Sequence, residues 1–282
     1  YENQGRTVQA VLRLDGFARV PTPPGNVERI AYLDIVTGLG GELIDKGRYA
    51  EAIEVLKSVD RLTAEQKASE ISADAGPPHT KHEEQKEAAT SIARRDRSKI
   101  ASAYLNLGLA YKRSGNIPEA VRQFNRVLES DPRSGAAYNN LANVWEESGD
   151  MPRALQTYAQ GVDLNPNSAN LHFNFACALS KVGKRTEALQ HFEKAVALKP
   201  DYAQAQANLG VALLEVGRAG EAIEHLQRAL VALKRNAELH NALGAALAEQ
   251  GRTSEAAEHF KKALEIQPDH AGAQQNLRTL LK

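Results

Sequence analysis

The sequence between residues 101 and 270 repeats itself every 34 residues. Glycine and alanine columns recur at this spacing in five successive copies: Gly115, Gly149, Gly183, Gly217 and Gly251, with Ala120, Ala154, Ala188, Ala222 and Ala256. A third column is aromatic in all but one copy: Phe124, Tyr158, Phe192, Leu226 and Phe260. A fixed period of about 20 to 50 residues is the signature of proteins that stack one structural unit on the next. The chain is therefore restricted to a repeat architecture.

Each repeat has the pattern of two consecutive helices, which we name helix A and helix B. In the repeat that begins at residue 101, Tyr104, Leu107 and Tyr111 fall on one face of helix A. Gly115 is expected to end that helix in a left-handed cap, and Pro132 to end helix B. One such pair cannot bury its apolar face alone, so neighbouring repeats must stack on it.

These columns resemble the tetratricopeptide repeat (TPR) family, whose consensus has an aromatic residue at position 4, Leu at 7, Gly at 8, Ala at 20 and Pro at 32. The resemblance covers about 60% of the 282 residues. It implies an all-α fold, a right-handed superhelical solenoid of antiparallel helix pairs. His172, Gln206 and His240 depart from it at position 4, and we expect them to weaken local contacts.

The remaining sequence differs from the repeat in composition and pattern. Alternating apolar residues around Asp15-Gly16 predict a short N-terminal β-hairpin, which a proline-rich linker follows. The predicted domains are a hairpin-like tail and linker (1–25), a divergent TPR-like helical hairpin (26–66), an irregular insert leading into a long helix (67–100), five TPR units (101–134, 135–168, 169–202, 203–236 and 237–270) and a C-terminal capping helix (271–282).

Composition limits the function classes. Lys+Arg and Asp+Glu are both 35, so the formal net charge is zero and the basic surface of a general nucleic-acid binder is not expected. The single cysteine, Cys177, rules out an internal disulfide framework and leaves the compartment undetermined. The sequence contains no run of apolar residues long enough to predict a membrane span. The chain begins at Tyr1 without a signal-like segment, and we expect it to be a soluble piece of a longer protein.

Position 6 of helix A carries asparagine in five of six copies: Asn106, Asn140, Asn174, Asn208 and Asn276, with Ala242 as the departure. In the family, helix A lines a concave groove, and position 6 is one of the positions that face it. A side-chain amide donates and accepts hydrogen bonds, so a ladder of amides can hold the backbone of an extended peptide. In this respect the chain resembles the repeat arm of O-GlcNAc transferases. The alternative is that asparagine here is only family consensus.

Neighbouring groove positions are amide or apolar. The predicted peptide-binding residues beyond the ladder are Asn139, Asn143, Leu105, Leu109, Phe173, Lys112, Arg113 and Lys181. Position 5 contains no lysine, which argues against the carboxylate clamp of co-chaperone TPR domains. Basic residues at one end and glutamates toward the other are expected to set the direction of a ligand, although exposed charges usually serve only solvation.

No pattern predicts catalysis. His191, His225 and His259 recur at position 23, where we expect a stripe on the outer face. Equivalent residues of adjacent repeats lie about 8–10 Å apart or more, too far to share a metal ion. Cys177 has no base partner in the sequence pattern, and we expect a buried small residue. We expect no catalytic residue, no metal site and no cofactor.

Two function classes remain open. The favoured one is a protein-interaction scaffold that binds an extended peptide or partner segment in the concave groove. The alternative is the substrate-recruiting arm of an enzyme whose catalytic domain lies outside this chain, which the full reading frame would reveal. A self-assembling scaffold, and hence a homo-oligomer, is a further alternative that light scattering would detect. The expected partner is a protein or peptide, with no nucleic acid and no membrane span.

Overall fold

The computed structural model describes residues 26–73 and 83–281. This part of the chain contains α-helices and no strand, and the chain divides into two compact units, Tyr1–Asp150 and Met151–Lys282. The helices of the first unit are α1 (Asn26–Asp45), α2 (Tyr49–Ala73), α3 (Glu83–Arg113), α4 (Ile117–Ser130) and α5 (Gly135–Glu147). Those of the second unit are α6 (Met151–Leu164), α7 (Ala169–Lys181), α8 (Arg185–Leu198), α9 (Ala203–Glu215), α10 (Ala219–Ala232), α11 (Ala237–Glu249), α12 (Thr253–Ile266) and α13 (Ala271–Leu280).

The glycine column ends helix A as the sequence predicts. Its five members and Gly47 are the residues with positive φ in the described chain, from 71° at Gly47 to 83° at Gly149. Only glycine adopts this left-handed conformation without crowding its own Cβ. The next backbone N–H then turns back onto the helix, as where Asn116 N donates to the Tyr111 carbonyl at 2.9 Å. The period of the sequence thus sets the position of each A-to-B turn.

In the first unit, α1 packs on α2 and α3, and α3 packs on α4 and α5. Its core is one cluster that includes Leu33, Leu43 and Leu56 of the divergent hairpin and Leu107 and Phe124 of the first TPR unit. The divergent hairpin therefore shares its core with the repeats that follow it.

The structure describes part of the sequence outside the regular repeats. Within residues 67–100, where we expected an irregular insert leading into a long helix, residues 67–73 continue α2 and residues 83–100 belong to the long helix α3. The N-terminal β-hairpin expected within residues 1–25 lies outside the described residues.

In the second unit, each helix from α6 to α12 packs on the next helix along the chain. The alanine and aromatic columns are the centre of each pair: Ala188, Phe192, Ala222, Leu226, Ala256 and Phe260 are all at most 2% exposed. The last helix, α13, covers Ala237 and Ala263 with its own buried Ala273. The A helices lie side by side because the alanines and the larger side chains of these two columns are buried.

Candidate functional site

The position-6 asparagines lie half-buried on the surface formed by the A helices, and three of them join one A helix to the one before it. Asn106 Nδ2 donates to the Thr37 carbonyl of α1 at 3.2 Å. Asn208 Nδ2 approaches the Cys177 sulfur of α7 at 3.4 Å, and Asn276 Nδ2 donates to Asn241 Oδ1 of α11 at 3.0 Å. We name this surface, described separately in each unit, the helix-A face. These amides have a structural role that the sequence pattern did not reveal.

Asn140 forms a local hydrogen bond instead. Asn140 Nδ2 donates to the Ala136 carbonyl of its own helix at 3.0 Å. Asn139, Asn143 and Asn174 are half-buried and have interactions of their own.

The predicted apolar residues are half-buried. Leu105 and Leu109 pack against the core of the first unit. The Phe173 ring lies 4.9 Å from the Tyr202 ring and 6.1 Å from the Phe192 ring, measured between centroids. Val211, on the neighbouring helix α9, keeps 38% of its surface exposed. The helix-A face of the second unit thus combines amides with an apolar strip.

The charges on this face are partly neutralised within the protein. Lys112 Nζ lies 2.7 Å from Glu147 Oε1, and the Lys112 side chain is only 14% exposed. Glu215 pairs with Arg185 at 3.1 Å. Arg113 and Lys181 are exposed. The expected difference in charge between the two ends is therefore smaller than the sequence suggests.

A pocket of about 470 Å³ opens beside Leu105, between α3 and the turn that precedes α5. Its wall is mostly polar and includes Arg97, Ser102 and Ser134. Ser134 also caps α5 by accepting a hydrogen bond from Ala137 N. The pocket lies next to a predicted groove residue and is large enough to take a ligand side chain.

Histidine or glutamine at position 4 forms a hydrogen-bonded bridge that sequence reasoning missed. The ring Nε2 of His172 donates to the Pro166 carbonyl at 3.1 Å, and its Nδ1 lies 2.9 Å from His191 Nδ1. Two further copies follow the same plan: His240 with the Lys234 carbonyl and His259, and Gln206 with the Pro200 carbonyl and His225. In each, position 4 joins the preceding turn to helix B of its own repeat.

His172, Gln206 and His240 each make two hydrogen bonds in place of the aromatic contact. His191, His225 and His259 are their half-buried partners, and the expected stripe on the outer face stays a prediction. Burial lowers the pKa of all three below 6.5. The signal was present in the sequence: position 23 is histidine only in the repeats where position 4 is histidine or glutamine.

In the first repeat, position 4 is a tyrosine with different hydrogen-bond partners. The Tyr104 hydroxyl donates to Asp60 Oδ1 at 3.1 Å, and Arg126 Nη1 reaches the same oxygen at 2.5 Å. Burial is the main cause that raises the pKa of Tyr104 above 10. Position 4 is thus a polar junction between helices in this repeat as well.

The described residues 26–73 and 83–281 hold no group of three or more His, Cys, Asp or Glu side chains that could bind a metal ion. Cys177 is half-buried on the helix-A face. No helix in the described part of the chain is both long and apolar enough to cross a membrane.

Solved structures with similar folds are repeat proteins. MamA is 25% identical, covering 58% of this chain and 96% of its own, with a TM-score of 0.52. YrrB, described as a TPR protein with an unusual peptide-binding site, is 21% identical over 67% of this chain and 97% of its own, with a TM-score of 0.56. PilF of Pseudomonas aeruginosa is 20% identical over 65% and 90%, with a TM-score of 0.55. Among curated proteins, none is similar enough in sequence to match.

Family-level sequence models settle the relationship. One model for the tetratricopeptide repeat matches residues 87–169 and 173–237, and a second matches residues 237–270. Together they cover more than half of the chain and coincide with the stacked helix pairs of the structure. The chain belongs to the tetratricopeptide repeat family.

Proposed function

We propose that this protein is a non-catalytic interaction scaffold that binds an extended peptide or partner segment along its helix-A face. Family membership supports an interaction role, and the peptide-binding site of YrrB supports a peptide as the ligand. The single observation that carries the proposal is the half-exposed asparagine at position 6 in successive A helices.

The ladder amides Asn106 and Asn140 keep binding capacity beyond their structural bonds. A side-chain amide has two N–H donors and an acceptor oxygen, and the bond from Asn106 to Thr37 or from Asn140 to Ala136 uses one N–H. The amides could then pair with the N–H and C=O groups of an extended ligand backbone. Such pairing is independent of the ligand's side chains, so it provides affinity without much sequence preference.

Selectivity would come from the apolar strip and the pocket beside Leu105. The strip around Phe173 and Val211 suits apolar ligand side chains. The pocket of about 470 Å³ suits one polar side chain near Arg97. Because Lys112 is already paired with Glu147, it is less available to a charged ligand.

The test measures binding of the full chain to an immobilised library of random-sequence peptides. The variant combines Asn106→Ala with Asn140→Ala, both in the first unit, and Asn125→Ala on the exposed side of α4 is the matched control. Two lost hydrogen bonds of about 0.5–1.5 kcal/mol each should weaken the selected peptides by roughly tenfold. Circular dichroism must show equal helix content in all three proteins.

Two results would contradict the proposal. One is equal peptide affinity in the double variant and the control, which would make the ladder a purely structural feature. The other is a wild-type chain that retains no peptide from the library.

A further inference from the structure

The position-4 bridge exists in two chemical forms within one unit. In the third and fifth repeats it is a histidine pair, His172–His191 and His240–His259, with Nδ1 atoms 2.9 and 3.0 Å apart. In the fourth repeat the partner of His225 is the amide oxygen of Gln206, 2.7 Å from the ring Nδ1. The ring planes of the two histidine pairs are inclined by 24° and 27°, so both have the same geometry.

Hydrogen-bond logic assigns the protons of a histidine pair. A carbonyl only accepts, so His172 must carry a proton on Nε2 to reach the Pro166 carbonyl at 3.1 Å. When His172 is neutral, its Nδ1 is then an acceptor, and His191 must donate from its own Nδ1. His240 and His259 follow the same assignment through the Lys234 carbonyl at 3.2 Å.

The two forms respond differently to acid. A first proton can enter a histidine pair at the outer Nε2 of His191 without changing the Nδ1–H···Nδ1 bond. A second proton places hydrogens on both facing Nδ1 atoms and turns the bond into a repulsive contact. In the fourth repeat, His225 donates to Gln206 whether its ring is neutral or charged, so that bridge survives protonation.

We propose that the histidine pairs of the third and fifth repeats are proton-operated latches, which hold helix A to helix B and to the preceding turn near neutral pH and release them in acid. The pairs bind protons rather than a metal ion. Each pair offers only two coordinating side chains, and no third His, Cys, Asp or Glu joins it among the described residues. The latch does not depend on peptide binding.

Surrounding charges modulate this response but do not reverse it. Burial and the His172 ring lower the pKa of His191, while Glu187 of α8 and Asp163 of α6 raise it. Burial lowers the pKa of His172, its hydrogen bond to the Pro166 carbonyl raises it, and Lys194 of α8 lowers it. Burial, His240 and Lys262 lower the pKa of His259, against Glu258 and Glu255 on the same helix. Burial is the largest cause for each of these histidines.

The direction of the pH effect follows from these lowered pKa values. Folded His172, His191 and His259 bind fewer protons than the same residues in the unfolded chain, where the pKa of histidine lies near 6.5. Stability is therefore complete above about pH 6.5, falls as the pH drops toward the folded pKa values, and stays low below them. Each unit of depression lowers the folding equilibrium constant by about tenfold at acid pH.

The experiment compares thermal unfolding of the full chain at pH 7.5 and pH 5. The double variant His172→Gln/His240→Gln copies the natural fourth repeat, and Gln206→His converts that repeat to a histidine pair. We expect the acid-induced drop in Tm to be smaller than wild type in the double variant and larger in Gln206→His. Nitrogen-15 NMR should show protonated Nδ1 on His191 and Nε2 on His172 at neutral pH.

Equal acid-induced drops in all three proteins would overturn the latch. So would histidine titrations in which His191 and His259 have the pKa of an unfolded chain. If the double variant does not fold, Gln206→His against wild type still decides the question, because only a larger drop supports the proposal. Failure of peptide binding would not affect either readout.

Discussion

Close approach of helix A to helix B depends on the residue at position 8. A Cβ atom added to Gly108 would lie 2.5 Å from the Phe124 ring, and one added to Gly244 would lie 2.6 Å from the Phe260 ring. Both rings are at most 1% exposed, so they have little room to move. Glycine at these two sites, Gly108 and Gly244, is therefore a packing requirement.

Gly108→Ala should destabilise the first unit by about 1–3 kcal/mol, as overpacking of a filled core usually does. Gly38→Ala is the matched control, because Gly38 is also inside a helix and has no atom within 4 Å of an added Cβ. That substitution should stabilise the protein by up to about 1 kcal/mol through helix propensity. Urea unfolding followed by circular dichroism measures both. Equal effects of the two substitutions would show that the Phe124 contact does not matter.

Single residues also show where sequence reasoning fails. The columns predicted the helix pairs and the glycine turns, since both depend on local spacing and backbone conformation. The hydrogen bonds of His172 and Asn106 were not predicted, because their partners are 19 and 69 residues away in sequence. Periodicity shows which face a residue occupies, whereas the atom opposite its polar end is set by tertiary packing. Binding by the ladder stays a prediction for the same reason.

At the level of the helix, position 34 provides the N-caps of most A helices. Ser134, Ser168, Asn236 and His270 each accept a hydrogen bond from the backbone N–H three residues later, at 3.0 to 3.4 Å. Tyr202 has no such bond. These four residues are of three types, Ser, Asn and His, which differ in size, so capping rather than packing explains what they share.

Ser168→Ala should cost about 1 kcal/mol, because the Leu171 N–H at the start of α7 loses its side-chain acceptor. Ser180→Ala near the end of the same helix is the control, since Ser180 is exposed and alanine is the better helix former. Urea unfolding of the two variants beside wild type gives the comparison. The capping role is refuted if Ser180→Ala is the more destabilising of the two.

Over the whole molecule, the repeat period predicts the number of helix pairs. It predicts less reliably where the helices outside the regular repeats begin and end. Residues 83–100 lengthen α3 by more residues than a typical A helix contains. Apolar side chains do not recur at helical spacing in this extension. The divergent hairpin was predictable because Gly40, Gly47 and Leu56 keep the TPR spacing. The division of the chain into tail, insert, five TPR units and cap stays a prediction as a description of domains.

In a repeat array, each repeat is stabilised by its neighbour. Removal of the C-terminal helix α13 should therefore destabilise the repeat that precedes it. Removing residues 271–282 takes away the buried Ala273 and the half-buried Leu277 and Leu280, and it uncovers Ala263. The loss of this apolar contact should cost about 2–4 kcal/mol. Truncation after Leu280 is the control, because Leu281 is 73% exposed.

Native-state hydrogen exchange measures where that stability is lost. Nearest-neighbour stabilisation predicts that amides of α11 and α12 lose protection in the truncated chain, while those of α3 and α4 keep theirs. The truncation after Leu280 should match wild type throughout. A uniform loss of protection over all helices would instead mean that the array unfolds as one cooperative unit, and unchanged protection in α12 would show that α13 does not stabilise the fifth repeat.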